Sequence, residues 1–207
     1  MKARIAAINR LTRETRIKGR LNLDGSGKAA VSTGIGFLDH MLELFAKHGL
    51  FDLELKAKGD LHIDLHHTNE DLGLALGEAF GKALGEKRGI RRMGSAFVPM
   101  DETLARVRVV ADASGRPHFR LDWAAPGRRR VEFRHGGRIA YGLEDAKHFL
   151  ESFSARSGLT LHVDVLKAGG DAHHMLESVF KALGRALREA VELDPRVKGV
   201  PSTKGKL

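Results

Sequence analysis

One five-residue pattern occurs twice in this chain, as His66-His67-Thr68-Asn69-Glu70 and as His173-His174-Met175-Leu176-Glu177. In a helix, positions i, i+3 and i+4 share a face. Each glutamate therefore stands one turn from both histidines of its pair. Adjacent side chains at a helix start point about 100° apart, so one pair can serve two different ions. Each copy is preceded by another histidine on an apolar segment: His40 in Phe37-Leu38-Asp39-His40-Met41-Leu42, and His148 in Ala146-Lys147-His148-Phe149-Leu150. The spacings agree, 66 − 40 = 26 and 173 − 148 = 25. Cysteine is absent, which excludes thiolate ligands and disulfides. Imidazole nitrogen with carboxylate oxygen suits Mn²⁺, Fe²⁺, Zn²⁺, Co²⁺ or Ni²⁺. Three histidines and one glutamate leave open positions on an octahedral ion, a catalytic arrangement rather than a closed structural one.

A single His-His-x-x-Glu is a weak signal, because a histidine at a helix start often only caps and a nearby glutamate often only faces water. The matched duplication favours a metal-binding half-domain made twice. The other histidines lack that support. His62 and His162 occupy polar positions of alternating strands, His48 suits the dipole at a helix end, and His118 and His135 lie in or beside a Gly/Arg-rich stretch. All five read as structural or solvated.

The duplication extends to the elements that would position these groups. Residues 13–28 align without a gap on residues 101–116, with Glu-Thr, an Asp, Ser-Gly and a basic residue in register. The offset is 102 − 14 = 88 there and 173 − 66 = 107 at the histidine pairs, so the second half carries about twenty extra residues. Pro117–Gly142, rich in Gly, Arg and Pro, is where an insertion is expected. Each half reads as an extended segment, a Gly/Asp/Ser turn with a return strand, a helix, an alternating strand and a second helix. Leu38, Met41, Leu42 and Phe45 line the first helix, and Phe149, Leu150 and Phe153 line its counterpart. Gly49 and Gly158 are expected stops. Leu176, Val179, Phe180, Leu183, Leu187 and Ala190 form a stripe on the last helix. The expected fold is an α/β (α+β) two-layer sandwich made twice. Its repeats would span residues 1–90 and 91–193, with a tail over 194–207. Neither half has much core alone, so the two should pack as one unit.

The chain has 207 residues, 42% hydrophobic and 29% charged, within the range of globular domains. No apolar run is long enough to span a membrane, and Met1-Lys2-Ala3-Arg4 leads into no signal-peptide core, so a cytoplasmic protein is expected. The net charge of +9 fits a basic surface, a nucleic-acid partner or a small anionic substrate. Arg128-Arg129-Arg130 reads as a solvated loop tip. One Trp and one Tyr make no stacking platform for single strands.

Thr33-Gly34-Ile35-Gly36-Phe37-Leu38-Asp39-His40-Met41-Leu42, both histidine motifs, Ser114-Gly115-Arg116-Pro117 and the tail Pro201-Ser202-Thr203-Lys204-Gly205 together resemble the imidazoleglycerol-phosphate dehydratase family. The likeness covers almost the whole chain. It departs from the family at Leu65, usually Asp, and at Asp171, usually Asn, and the segment between Leu104 and Ser114 is about two residues longer. These changes touch groups around the ligands rather than the ligands themselves. The resemblance implies repeats like domain 2 of ribosomal protein S5. It implies a di-manganese hydro-lyase of histidine biosynthesis that eliminates water from imidazole-glycerol phosphate to give imidazole-acetol phosphate. The implied ligands are His40, His66, His67, Glu70, His148, His173, His174 and Glu177, with the sites formed between subunits of a 24-subunit shell. Which ligand serves which ion stays open.

The resemblance also makes Glu14 the candidate for proton transfer, whereas its repeat partner Glu102 has no comparable argument. It assigns the substrate phosphate to Arg92, Arg116, Ser202 and Lys204. Arginine suits bidentate phosphate contact. The tail has no apolar reason to be ordered, so a ligand or a neighbouring subunit would have to order it. Two readings from other classes are a metal-dependent phosphoester hydrolase and a basic nucleic-acid-binding protein with incidental histidines.

Overall fold

The computed structural model describes residues 3–111, 117–123, 130–132 and 140–204. β1 (Ile5–Leu11) and β2 (Thr15–Asn22) pair antiparallel, and β4 (Asp52–Gly59) takes the other edge of β2 along its whole length. β3 (Ala29–Ser32) lies beyond β4 and runs parallel to it, giving the order β1-β2-β4-β3. The second sheet repeats this order with β5 (Met93–Met100), β6 (Thr103–Val110), β10 (Thr160–Lys167) and β7 (His118–Trp123). β8 (Arg130–Glu132) and β9 (Ala140–Gly142) form a separate two-stranded ribbon.

Two expectations are corrected here. The turn after each extended segment does not fold the next strand back on its predecessor. β2 already has β1 and β4 on its two edges, so β3 has to pair with β4 instead. A turn motif signals a local reversal, but the free sheet edge decides the pairing. In addition, the stretch assigned to the insertion begins with sheet: β7 holds the place in the second sheet that β3 holds in the first. Arg128-Arg129-Arg130 and His135 lie outside the residues whose side chains are described.

α1 (Gly36–Gly49), α2 (His66–Leu84), α3 (Leu143–Ser157) and α4 (Ala172–Val191) fill the space between the sheets. α1 and α2 cover the first sheet, and α3 and α4 cover the second. The helix layers then meet face to face, with α1 on α4 and α2 on α3. The apolar stripes read from the sequence form these faces. Leu38, Met41, Leu42 and Phe45 of α1 are buried, as are Leu176, Val179, Phe180, Leu183, Leu187 and Ala190 of α4. Phe45, Phe51, Phe80 and Phe153 stack edge-on or tilted across the seam, so the two halves share one core.

Glycine lets the helices come this close. A Cβ on Gly77 of α2 would stand 2.5 Å from the Phe153 carbonyl of α3, and a Cβ on Gly184 of α4 would stand 2.5 Å from the Phe45 carbonyl of α1. α1 ends at Gly49, with Leu50 left-handed at the cap, and α3 ends on left-handed Gly158. Among the described residues, no helix is long and apolar enough to cross a membrane.

The start of the tail is ordered by the chain itself. Gly89 N–H donates to the Gly199 carbonyl and Asp194 N–H to the Gly89 carbonyl, both at 2.8 Å. Leu193 bridges to Ile90. Order up to this point therefore requires neither a ligand nor a neighbouring subunit.

Candidate metal centre

The helix pairing decides which predicted ligands meet. Because α1 packs on α4, His40 meets the start of α4: its Nε2 lies 2.7 Å from Glu177 Oε1, and His173 Nε2 lies 3.1 Å from the same oxygen. Ligand atoms of all three residues lie within 4.8 Å of one another. Because α2 packs on α3, His66 meets His148, with ring centroids 4.5 Å apart. Each grouping therefore joins one half of the chain to the other. The sequence leaves open which ligands meet; in the fold the upstream histidine of one half stands with the histidine pair of the other. Among the described residues, no compact three-residue group closes around Glu70.

The adjacent rings diverge as the helical geometry requires. His66 and His67 are inclined at 79°, and His173 and His174 at 85°. His67 and His174 thus stay out of these groupings. Each is instead held by a carboxylate on Nδ1, His67 by Asp60 at 2.9 Å and His174 by Glu102 at 3.1 Å. A carboxylate on one ring nitrogen fixes the tautomer and leaves Nε2 as the nitrogen that could take a metal. The hydrogen bond that the protonated ring donates to Asp60 raises the His67 pKa, and the bond to Glu102 does the same for His174. Asp101, Glu102 and His174 form a second compact group, more exposed than the first.

The donor set fits a divalent transition ion. His148 Nδ1 is buried with no hydrogen-bond partner among the described residues. Buried imidazole nitrogens are normally paired, so this atom, beside a second imidazole, suits a ligand from outside the protein. Glu177 is buried, which by itself would push its carboxyl up. Lys181 Nζ at 2.6 Å, His40 and His173 outweigh that burial and hold it at about 2. The carboxylate is therefore ionised and ready to ligate.

The starts of both histidine helices are fixed alike. Asp64 accepts the His66 N–H and Asp171 accepts the His173 N–H, each at 2.8 Å. Asp171 is the N-cap of α4, whereas Asp64 makes its bond from one residue before Leu65, which caps α2 without a side-chain hydrogen bond. Asn69 ties α2 to α3 by donating to the Asp145 carbonyl at 2.8 Å and accepting from Tyr141 at 3.0 Å. His48 sits at the end of α1 as expected, but burial and the Lys181 and Arg185 charges lower its pKa and oppose the cationic form.

Glu14 lies in the β1–β2 turn with Oε2 3.9 Å from His67 Nδ1, close to the site but not bonded to it. Glu102, for which the resemblance offers no comparable role, makes the shorter contact in its own half. Asp60, Asp71 and Lys181 also escaped sequence reading. Asp60 meets His67 across the loop that leads into α2, Asp71 bonds to partners far along the chain, and Lys181 is one more cation on a charged helix face. Arg92 adopts a left-handed backbone (φ 72°) and donates through Nη1 to the Pro201 carbonyl at 2.9 Å, beside Ser202. The Lys204 N–H reaches Ser202 Oγ at 3.2 Å. Arg116 lies outside the described residues.

A family model described as imidazoleglycerol-phosphate dehydratase matches residues 33–187. The imidazoleglycerol-phosphate dehydratase of Geobacillus kaustophilus is 54% identical over 205 residues, covering 99% of this chain and 100% of that protein. That of Methylorubrum extorquens is 51% identical with the same coverage. The crystal structure of the Staphylococcus aureus enzyme matches with a TM-score of 0.74 at 32% identity, over 92% of this chain and 99% of that one. The Pyrococcus furiosus enzyme, in complex with (S)-C348, matches with a TM-score of 0.75 at 34% identity, over 96% and 99%. Neither the phosphoester-hydrolase reading nor the nucleic-acid reading finds support in these matches. The chain, whose paired helices bring two sets of histidines together across its halves, belongs to the imidazoleglycerol-phosphate dehydratase family.

Proposed function

We propose that this chain dehydrates imidazole-glycerol phosphate to imidazole-acetol phosphate with two Mn²⁺ per chain. The His40–His173–Glu177 group carries this reading, because two imidazoles converge on one ionised carboxylate oxygen. His148 with His66 and Glu70 is the matching set. The chain is then two repeats, residues 1–90 and 91–193, with a tail over 194–207, and the identical strand orders of the two sheets support that division. The cytoplasm is the expected compartment.

If each ion takes three histidines and one glutamate, each set lacks one histidine within the chain. His67 and His174 supply the missing ligands, and their turn away from the intrachain groups supports donation to a neighbouring subunit. A 24-subunit shell with sites at its interfaces accommodates that exchange. Metal that bridges chains favours assembly by mass action, so chelation should shrink the particle, as light scattering would show.

When bound, the metal supplies a Lewis acid and a template for the substrate imidazole. Glu14 accepts the proton from the carbon next to the one that loses hydroxide. Arg92, Arg116, Ser202 and Lys204 hold the phosphate, and the Arg92–Pro201 bond brings two of these segments together. The test is product analysis with imidazole-glycerol phosphate. The expected outcome is a keto phosphate without release of inorganic phosphate, abolished by chelation. Phosphate release without the ketone would move the chain to hydrolysis.

A further inference from the structure

We infer that Asp71 is a positioning residue for Glu14; the inference rests on Glu14 being the proton-transfer group. Asp71 follows Glu70 on α2 and is buried. Its Oδ1 accepts from Arg10 Nε at 2.7 Å, and its Oδ2 accepts from Thr15 Oγ1 at 2.5 Å and Thr12 Oγ1 at 3.3 Å. Thr12 Oγ1 in turn accepts the backbone N–H of Glu14 at 3.2 Å and of Thr15 at 2.9 Å. One carboxylate thus fastens the whole Thr12–Thr15 turn, with Glu14 at its tip, to the helix that carries His66, His67 and Glu70. A connected network of this kind, with the Asp71–Thr15 bond buried at its centre, fixes one geometry.

The second half lacks this fastening. At offsets of 88 and 107 the corresponding residues are Val98 for Arg10, Met100 for Thr12, Thr103 for Thr15 and Ser178 for Asp71. Ser178 bonds within its own helix to the Met175 carbonyl, and Thr103 accepts from Gly169. Glu102 bonds to His174 instead. In the first half Asp60 occupies His67 Nδ1, so Glu14 keeps its carboxylate unbonded while the turn beneath it is anchored. The two glutamates occupy equivalent turns but have diverged: one orients a histidine, and the other is held in place for chemistry.

The test is a double-mutant cycle between Asp71→Asn and Glu14→Gln, read by single-turnover product formation, with metal content and Tm measured for each protein. Asp71→Asn should lower kcat by up to about a hundredfold with KM little changed, since small misplacements of a reacting group cost that much. In the Glu14→Gln background the same substitution should have almost no further effect. Thr15→Val should behave likewise, with recovery in Thr15→Ser, and this pair carries the test if Asp71→Asn does not fold. A full Asp71 effect in the Glu14→Gln background, or a kcat loss that follows metal loss, would overturn the inference. Near-normal turnover of Glu14→Gln alone would instead overturn the reading of Glu14 on which it rests.

Discussion

His40 Nε2 and Glu177 Oε1 lie 2.7 Å apart, although the residues stand 137 positions apart on helices that cover opposite sheets. The contact exists because α1 packs on α4. The same arrangement, α2 on α3, brings His66 to His148. The helix seam is therefore both the hydrophobic core and the scaffold of the candidate metal centre.

Widening that seam should loosen the site. In Gly77→Ala the new Cβ would meet the Phe153 carbonyl at 2.5 Å and force α2 from α3. Overpacking of this kind costs about 1–3 kcal/mol. The variant should show a lower Tm and reduced metal content, with the loss confined to the His66–His148 set. Calorimetry with elemental analysis would check both.

The His67–Asp60 bond has a pH signature in chelated protein. His67 is raised from 6.5, so its contribution is fully present below that value and disappears as pH rises through the raised pKa. Asp60 is lowered from 3.8 by the same bond, so its contribution is present above that value and lost as pH falls through the lowered pKa. The Tm difference between the native chain and Asp60→Asn should therefore be largest between pH 3.8 and 6.5 and should close above it. A gap independent of pH would mean that Asp60 acts without the His67 charge.

Much of this was legible in the sequence, and the omissions have a common cause. Both histidine motifs and the buried stripes of α1 and α4 follow from spacing, and the ends of α1 and α3 from Gly49 and Gly158, since both signals are local. The seam is not local. Nothing in one stretch of sequence states that α1 will choose α4, so the grouping of His40 with Glu177 was out of reach. Asp60 and Asp71 were missed for the same reason: each bonds to a partner set by the fold rather than by spacing. β7 falls within the expected insertion because its pairing with β10, like that of β3 with β4, is parallel and leaves no hairpin signal.

Substitutions in the proposed phosphate site should mainly affect KM. Lys204→Ala and Ser202→Ala remove contacts to the part of the substrate that does not react, so kcat should hold while KM rises. Arg92→Ala should also release the tail, because it removes the donor to the Pro201 carbonyl. Limited proteolysis near residue 200 should then be faster in Arg92→Ala than in Lys204→Ala. Equal proteolysis in the two variants would show that the Arg92 bond does not hold the tail.

Metal stoichiometry addresses the central claim most directly. Elemental analysis of manganese-loaded protein should give two ions per chain, falling to about one in His40→Ala and again in His148→Ala, since each histidine belongs to a different set. The double variant should bind almost none and should have no dehydratase activity. An active protein without transition metal, or single variants that each keep both ions, would contradict the assignment of two metal sets that cross the halves of the chain.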